Sequence, residues 1–212
     1  MNAVIIAAGQ FPRKEYPLYL LQSADLKVCC DGALTALEKR GIKPDVVIGD
    51  LDSVCGRALR RFDGTIVKSD DQETNDLTKA FSYIMENHPE TGSIVILGAT
   101  GLSEAHTVGN MSLLMEYERR WSLSSRGISV QMISDWSTIF AIGGSCELHV
   151  GEGRKVSLFA NDSSLTIKSA GLQWPTDNVI FDNWWKATLN RASADIISLQ
   201  FNHPCPVLVV LD

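Results

Sequence analysis

The sequence predicts an α/β protein in two parts: an N-terminal Rossmann-like parallel-sheet domain over residues 1–135, then a C-terminal all-β sandwich over residues 136–212. Two textures carry this reading. Before Asp135, short apolar runs alternate with segments of helical periodicity, the pattern of a parallel sheet covered by helices. After Asp135, short β-prone runs follow one another, divided by Gly, Asn and Asp clusters, the pattern of an antiparallel sandwich.

Taken in order, apolar runs at residues 3–7, 27–30, 46–48, 66–68, 94–97 and 130–133 predict six strands. A helix is predicted over 33–40, stopped by Gly41 just past its last turn. Two more are predicted over 74–87 and 107–120, where apolar residues recur at helical spacing, and a short one near Val54. The opening MNAVIIAAGQFP is apolar without a basic leader, so it reads as a first strand and not as a signal peptide. In the second half the strands are CELHV, KVSLFA, SLTIKS, DIISLQF and PVLVVLD. No repeat of fixed period and no Gly/Ser linker interrupts the chain.

Composition narrows the classes. Apolar residues make up 45% and charged residues 21%, which suits a packed globular chain of 212 residues. No apolar run reaches the roughly 18 residues that span a bilayer, so no membrane span is expected and a cytoplasmic protein is. The five cysteines form no CxxC, and the adjacent Cys29 and Cys30 would face opposite ways on a strand, so neither a disulfide framework nor a thiolate metal site is expected. A net charge of −6 opposes a broad nucleic-acid surface.

The chemistry concentrates at strand ends. In an open parallel sheet the loops that leave the carboxyl ends of the strands carry ligand-binding groups. Asp31 follows LKVCC, Asp50 and Asp52 follow VVI, and Asp70, Asp71, Glu73 and Asp76 follow TIVKS. Acids from three strands on one rim repel and raise one another's pKa unless a cation intervenes. A hard divalent ion, with Mg²⁺ first, binds such oxygens together with substrate phosphates. Any one of these acids could instead cap a helix or form a turn, as Asp50 or Asp52 could for the helix near Val54. The chain has no GxxxxGK[ST] loop, GxSxG elbow, HExxH helix or GxGxxG fingerprint.

Several segments together resemble one family. CCDGALTAL (29–37), PDVVIGDLDSV (44–54), DQETNDLTKA (71–80), GATGLSEAHTVGN (98–110), LTIKSAGLQWPTDN (165–178) and ATLNRAS (187–193) are similar, in order, to motifs of the thiamine pyrophosphokinases. That resemblance implies an α/β catalytic, ATP- and Mg²⁺-binding domain followed by a β-sandwich for thiamine binding and dimerisation. It implies transfer of pyrophosphate from ATP to the thiamine hydroxyl, giving thiamine diphosphate and AMP. It assigns Asp31, Asp50, Asp52 and Asp76 to catalysis, and Asp50, Asp52 and Glu73 to Mg²⁺. Gln72, Lys79 and His106 would serve ATP, and Trp174, Thr188 and Asn190 thiamine, with the indole stacked on its pyrimidine ring. It also implies a homodimer with the site at the subunit interface. Ser103 and Ala105 stand where the family has Arg and Asp, and Glu73 where it usually has Asp. An alternative is therefore a catalytically weakened thiamine- or nucleotide-binding homologue, acting as a sensor or inactive subunit.

Overall fold

The computed structural model describes residues 1–52, 56–69, 71 and 73–212. The chain forms two compact units, one of Met1–Asn110 with Ile128–Asp135 and one of Met111–Gly127 with Trp136–Asp212. Residues 111–127 thus group with the second unit and residues 128–135 with the first.

The first unit holds β1 (Asn2–Ile6), α1 (Glu15–Ser23), β2 (Leu26–Cys30), a 3₁₀ turn (Asp31–Ala33), α2 (Leu34–Glu38), β3 (Val46–Gly49), α3 (Gly56–Arg61), β4 (Thr65–Lys68), α4 (Asp76–Asn87), β5 (Ser93–Leu97) and β6 (Ser129–Ile133). Its strands pair parallel in the order β6-β5-β1-β2-β3-β4. The chain runs outward from β1 to β4 and then returns to the other side of β1. The strand order therefore reverses between β1 and β5, where a crevice opens at the carboxyl ends.

Packing follows pattern. Val4, Ile5, Ile6, Val28, Cys29, Val47, Ile94, Ile96 and Leu97 are sealed from solvent, as strands covered on both faces require. Helix α4 buries Leu77, Ala80, Phe81 and Ile84 on one stripe, and Asn75 caps it by accepting the Thr78 N–H at 2.8 Å. Helix α1 is additional to the helices placed from the sequence. Pro17 sits at the third helical position, where the missing N–H has no partner to lose. Helix α5 (Glu104–Trp121) begins three residues before the predicted start.

The second unit has two antiparallel sheets. One orders β11 (Asn190–Arg191), β9 (Lys155–Phe159), β13 (Val207–Leu211) and β7 (Thr138–Ile142), and the other β10 (Ile167–Ala170), β12 (Ile196–Phe201) and β8 (Cys146–His149). Val156, Leu158, Ile167, Ile197, Leu199, Val207 and Val209 from both sheets share one buried cluster, the core of a sandwich. Strand β12 buries Ile197 and Leu199 and turns Ser198 and Gln200 away from that core. The unit also takes in the later turns of α5 and α6 (Leu123–Arg126), whose first N–H groups find an acceptor in buried Glu118, bonded to the Ser124 N–H at 3.0 Å. Among the described residues no helix is long and apolar enough to cross a membrane. Cys29, Cys30, Cys146 and Cys205 are free thiols.

Candidate active site

Three of the acids converge. Asp31, Asp50 and Asp52 each place a carboxylate oxygen within 4.8 Å of the other two. The local chain explains how. Asp31 opens the 3₁₀ turn after β2, only 1% exposed, and one of its oxygens accepts the Leu51 N–H at 2.9 Å while the other accepts the Gly32 N–H. Leu51 adopts φ +70, a left-handed conformation that costs a branched residue about 1–2 kcal/mol. That twist sets Asp50 and Asp52 on either side of it, and the Asp50 carboxylate accepts the Asp52 N–H at 3.1 Å. Partial packing of Leu51 against the core of the first unit offsets the strain. Gly49 makes the close approach feasible, since a Cβ there would lie 2.6 Å from Asp31 Cγ.

Electrostatics make the cluster one that a cation would relieve. Burial pushes the Asp31 carboxyl above the ordinary range, the Asp76 charge adds to this, the N–H groups of Gly32 and Leu51 oppose it, and Asp50 raises it further. Three oxygen donors from carboxylates that repel one another are the set a hard divalent ion satisfies, so the residues present fit Mg²⁺. Glu73, exposed, lies outside this cluster, and Asp31 takes the third place in it. Gln72 lies outside the described residues, as does Asp70.

Asp31 also belongs to a cleft of about 360 Å³ at the crevice where the strand order reverses. Ala7–Gly9 after β1 form one wall and Ala99–Ser103 after β5 another, with Asn75–Leu77 at the start of α4 and His106 and Asn110 of α5 completing it. The first two loops are clasped by backbone bonds, Gly9 N–H to Gly98 O at 2.6 Å and Gln10 N–H to Thr100 O at 2.9 Å. Gly9 permits this, because a Cβ would meet Gly98 O at 2.5 Å. The Asn110 amide fastens the second loop to α5 by donating to Ala99 O at 2.8 Å. Sequence reasoning did not single out Ala7, Ala8, Gly9 or Asn110. The walls formed by Ala7, Ala8 and Gly9 are backbone and methyl groups without a charge signature, although Gly98 and Gly101 on either side of Ala99 and Thr100 are a signal of close approach.

The predicted nucleotide residues divide. Asp76 and His106 line the cleft. Lys79 is buried one turn into α4 and donates to Asp76 Oδ1 at 3.2 Å. The Thr74 hydroxyl, the Glu73 N–H and, after them, the Lys79 charge hold exposed Asp71 below the usual carboxylate range. Ser103, at the position of the family arginine, is the N-cap of α5: its hydroxyl accepts the His106 N–H at 3.3 Å. Cys30 also lines the cleft; burial pushes its thiol well above the ordinary range, and the Asp76 and Asp31 charges add to this.

In the second unit Trp174 is 55% exposed and Asn190 is buried. The Asn190 side chain bonds the backbone of Trp174 twice, accepting from its N–H at 3.2 Å and donating to its carbonyl at 2.6 Å. The Thr188 hydroxyl donates to Trp185 O at 2.7 Å. Trp184 is a packing residue: it meets Phe159 edge-on at 5.7 Å and its indole N–H donates to Asn161 at 2.9 Å.

Comparison with known proteins gives the family. The family model described as thiamin pyrophosphokinase, catalytic domain, matches residues 18–123, and that described as thiamin pyrophosphokinase, substrate-binding domain, matches residues 138–206. The chain is 28% identical over 205 residues to thiamine pyrophosphokinase 1 of Oryza sativa subsp. japonica, covering 83% of this chain and 74% of that protein. In fold it is similar to the thiamine pyrophosphokinase of Bacillus subtilis, with a TM-score of 0.77 at 18% identity over 100% of this chain and 99% of that one. The yeast thiamin pyrophosphokinase gives a TM-score of 0.76 at 19% identity, over 100% and 86%. With the catalytic-domain match alone spanning half of its length, the chain belongs to the thiamin pyrophosphokinase family.

Proposed function

We propose that the protein transfers the terminal pyrophosphate of ATP to the hydroxyl of thiamine, producing thiamine diphosphate and AMP in a Mg²⁺-dependent reaction. The observation that supports this best is Asp31, which belongs at once to the three-carboxylate cluster and to the cleft at the reversal of strand order. Phosphoryl-type transfer asks a protein for position and charge stabilisation, and both features serve that need.

Asp31, Asp50 and Asp52 would hold the ion. Mg²⁺ bound there supplies neutralisation of phosphate charge. Asp76 lines the cleft without belonging to the cluster, so it is the acid assigned to receive the proton of the thiamine hydroxyl. The Lys79 ammonium, 3.2 Å away and buried, orients that carboxylate. His106 offers its imidazole to phosphate from the first turn of α5. In the second unit the exposed face of Trp174 suits the pyrimidine ring of a flat cationic ligand. Under this reading the protein is a cytoplasmic homodimer, and a light-scattering mass of two chains checks its assembly.

One observation favours a second reading. Ser103 spends its hydroxyl on a helix cap and Ala105 carries no charge, so this loop brings neither the cation nor the acid that the family pattern has there. A weakened homologue that binds thiamine or nucleotide would follow. Incubation of the purified protein with ATP, Mg²⁺ and thiamine separates the two. AMP and thiamine diphosphate in equal amounts support the enzyme; thiamine binding with no product above a protein-free control supports the second reading.

A further inference from the structure

The stretch after β10 is zipped along the chain that contains β11. Ser193 N–H donates to Gly171 O at 2.8 Å, Leu172 bridges Ala192, and Gln173 N–H donates to Arg191 O at 2.8 Å. At Trp174 the ladder passes from backbone to side chain, because Asn190 supplies the bonds to both its N–H and its carbonyl. Asn190 Oδ1 also accepts the Arg191 N–H at 2.8 Å, so both lone pairs of that oxygen are occupied. The residue is 7% exposed, while the indole it anchors is 55% exposed.

An asparagine committed in this way has little left with which to contact a ligand. Thr188 is similar, its hydroxyl proton given to Trp185 O. The residue between them, Leu189, sits at φ +55 and is 62% exposed, a strained conformation for a bulky side chain held by its N–H bond to Ser157 Oγ at 2.9 Å. Strain of this kind concentrates where a chain is held for binding.

We infer that Asn190 is a positioning residue, which fixes the Trp174 backbone so that the indole face meets the pyrimidine ring of thiamine, and that it does not itself contact thiamine. This rests on the reading of Trp174 as the thiamine platform. Two hydrogen bonds of ordinary worth set the scale of the effect.

The test is a double-mutant cycle on the full-length protein, using calorimetric thiamine binding together with the KM values for thiamine and ATP. Asn190→Ala weakens thiamine binding about tenfold and raises the thiamine KM in step, with the ATP KM within about twofold of wild type. Asn190→Asp, which keeps the acceptor but turns a carboxylate oxygen toward Trp174 O where the amide donated at 2.6 Å, gives a loss at least as large. In a Trp174→Ala background, Asn190→Ala has no further effect on thiamine. Equal losses in both backgrounds, a parallel rise in the ATP KM, unchanged binding, or failure of both Asn190 variants to fold overturns the inference. If Trp174→Ala alone leaves thiamine binding intact, the platform reading falls and takes the inference with it. If wild type binds thiamine without turnover, the proposed activity fails and the inference is still decided by calorimetry.

Discussion

Replacing Asp50 by Asn tests the carboxylate cluster most directly. The amide keeps an oxygen that can accept the Asp52 N–H, as the carboxylate does at 3.1 Å, so the turn survives while one negative charge is removed. Carboxylate oxygens within 4.8 Å repel by about 3.5 kcal/mol or more at an effective dielectric near 20. Solvent on the exposed side of the cluster and the N–H bonds to Asp31 reduce this to about 1–2 kcal/mol. In EDTA the Asp50→Asn protein is therefore more stable than wild type, and its melting temperature rises by about 2–6 °C for a chain of this size. Mg²⁺ stabilises wild type by mass action and the variant much less, because a ligand is gone. Turnover falls by more than about a hundredfold. Differential scanning fluorimetry with and without Mg²⁺, beside a product assay, reads all three. A variant that melts lower in EDTA, or keeps the full Mg²⁺ shift, refutes the reasoning that these acids repel and share an ion.

Three other outcomes are expected. Gly49→Ala drives a methyl toward Asp31 Cγ, 2.6 Å from its ideal position, so Mg²⁺ stabilisation and turnover are lost together, whereas Gly41→Ala, with nothing within 4 Å, leaves both in place. Asp135→Ala removes the acceptor of the Arg13 and Lys14 N–H groups at 2.9 Å ahead of α1, and denaturant unfolding shows a loss of about 1–2 kcal/mol. The Ser164 hydroxyl and His203, in that order, hold Asp162 down to about 2. Its folded pKa lies below the unfolded value, so its contribution is present above about pH 4 and disappears as pH falls toward 2. Asp162→Asn thus flattens the acid limb of the stability profile in that window, and an unchanged limb contradicts the assignment.

Much of the architecture was legible because it depends on local composition. The short apolar runs VII, VCC, VVI and IVIL read as strands, and DLTKAFSYIMEN presents an apolar stripe whatever it packs against. Helix α1 lies outside the predicted helices; its Pro17 falls among first-turn N–H groups that have no intrahelical partner, so it does not break the helix. The affiliation of residues 111–127 with the second unit has no local signal at all.

For the site, sequence order alone placed Asp31, Asp50, Asp52 and Asp76 at strand ends, because alternation in a parallel sheet brings successive strand ends to one rim. It could not say which acids meet. That depended on the strand pairing of β2 with β3, the left-handed turn at Leu51 and the absence of a Cβ at Gly49, which together admit Asp31 to the cluster and leave Glu73 outside. In the same way Asn190 read as a polar group free for a ligand until the fold gave both ends of its amide to Trp174. Residue type and spacing state which chemistry a chain can offer. Hydrogen bonds between segments far apart in sequence decide which of those groups remain available for it, because a donor or acceptor satisfied inside the fold has little left for a ligand.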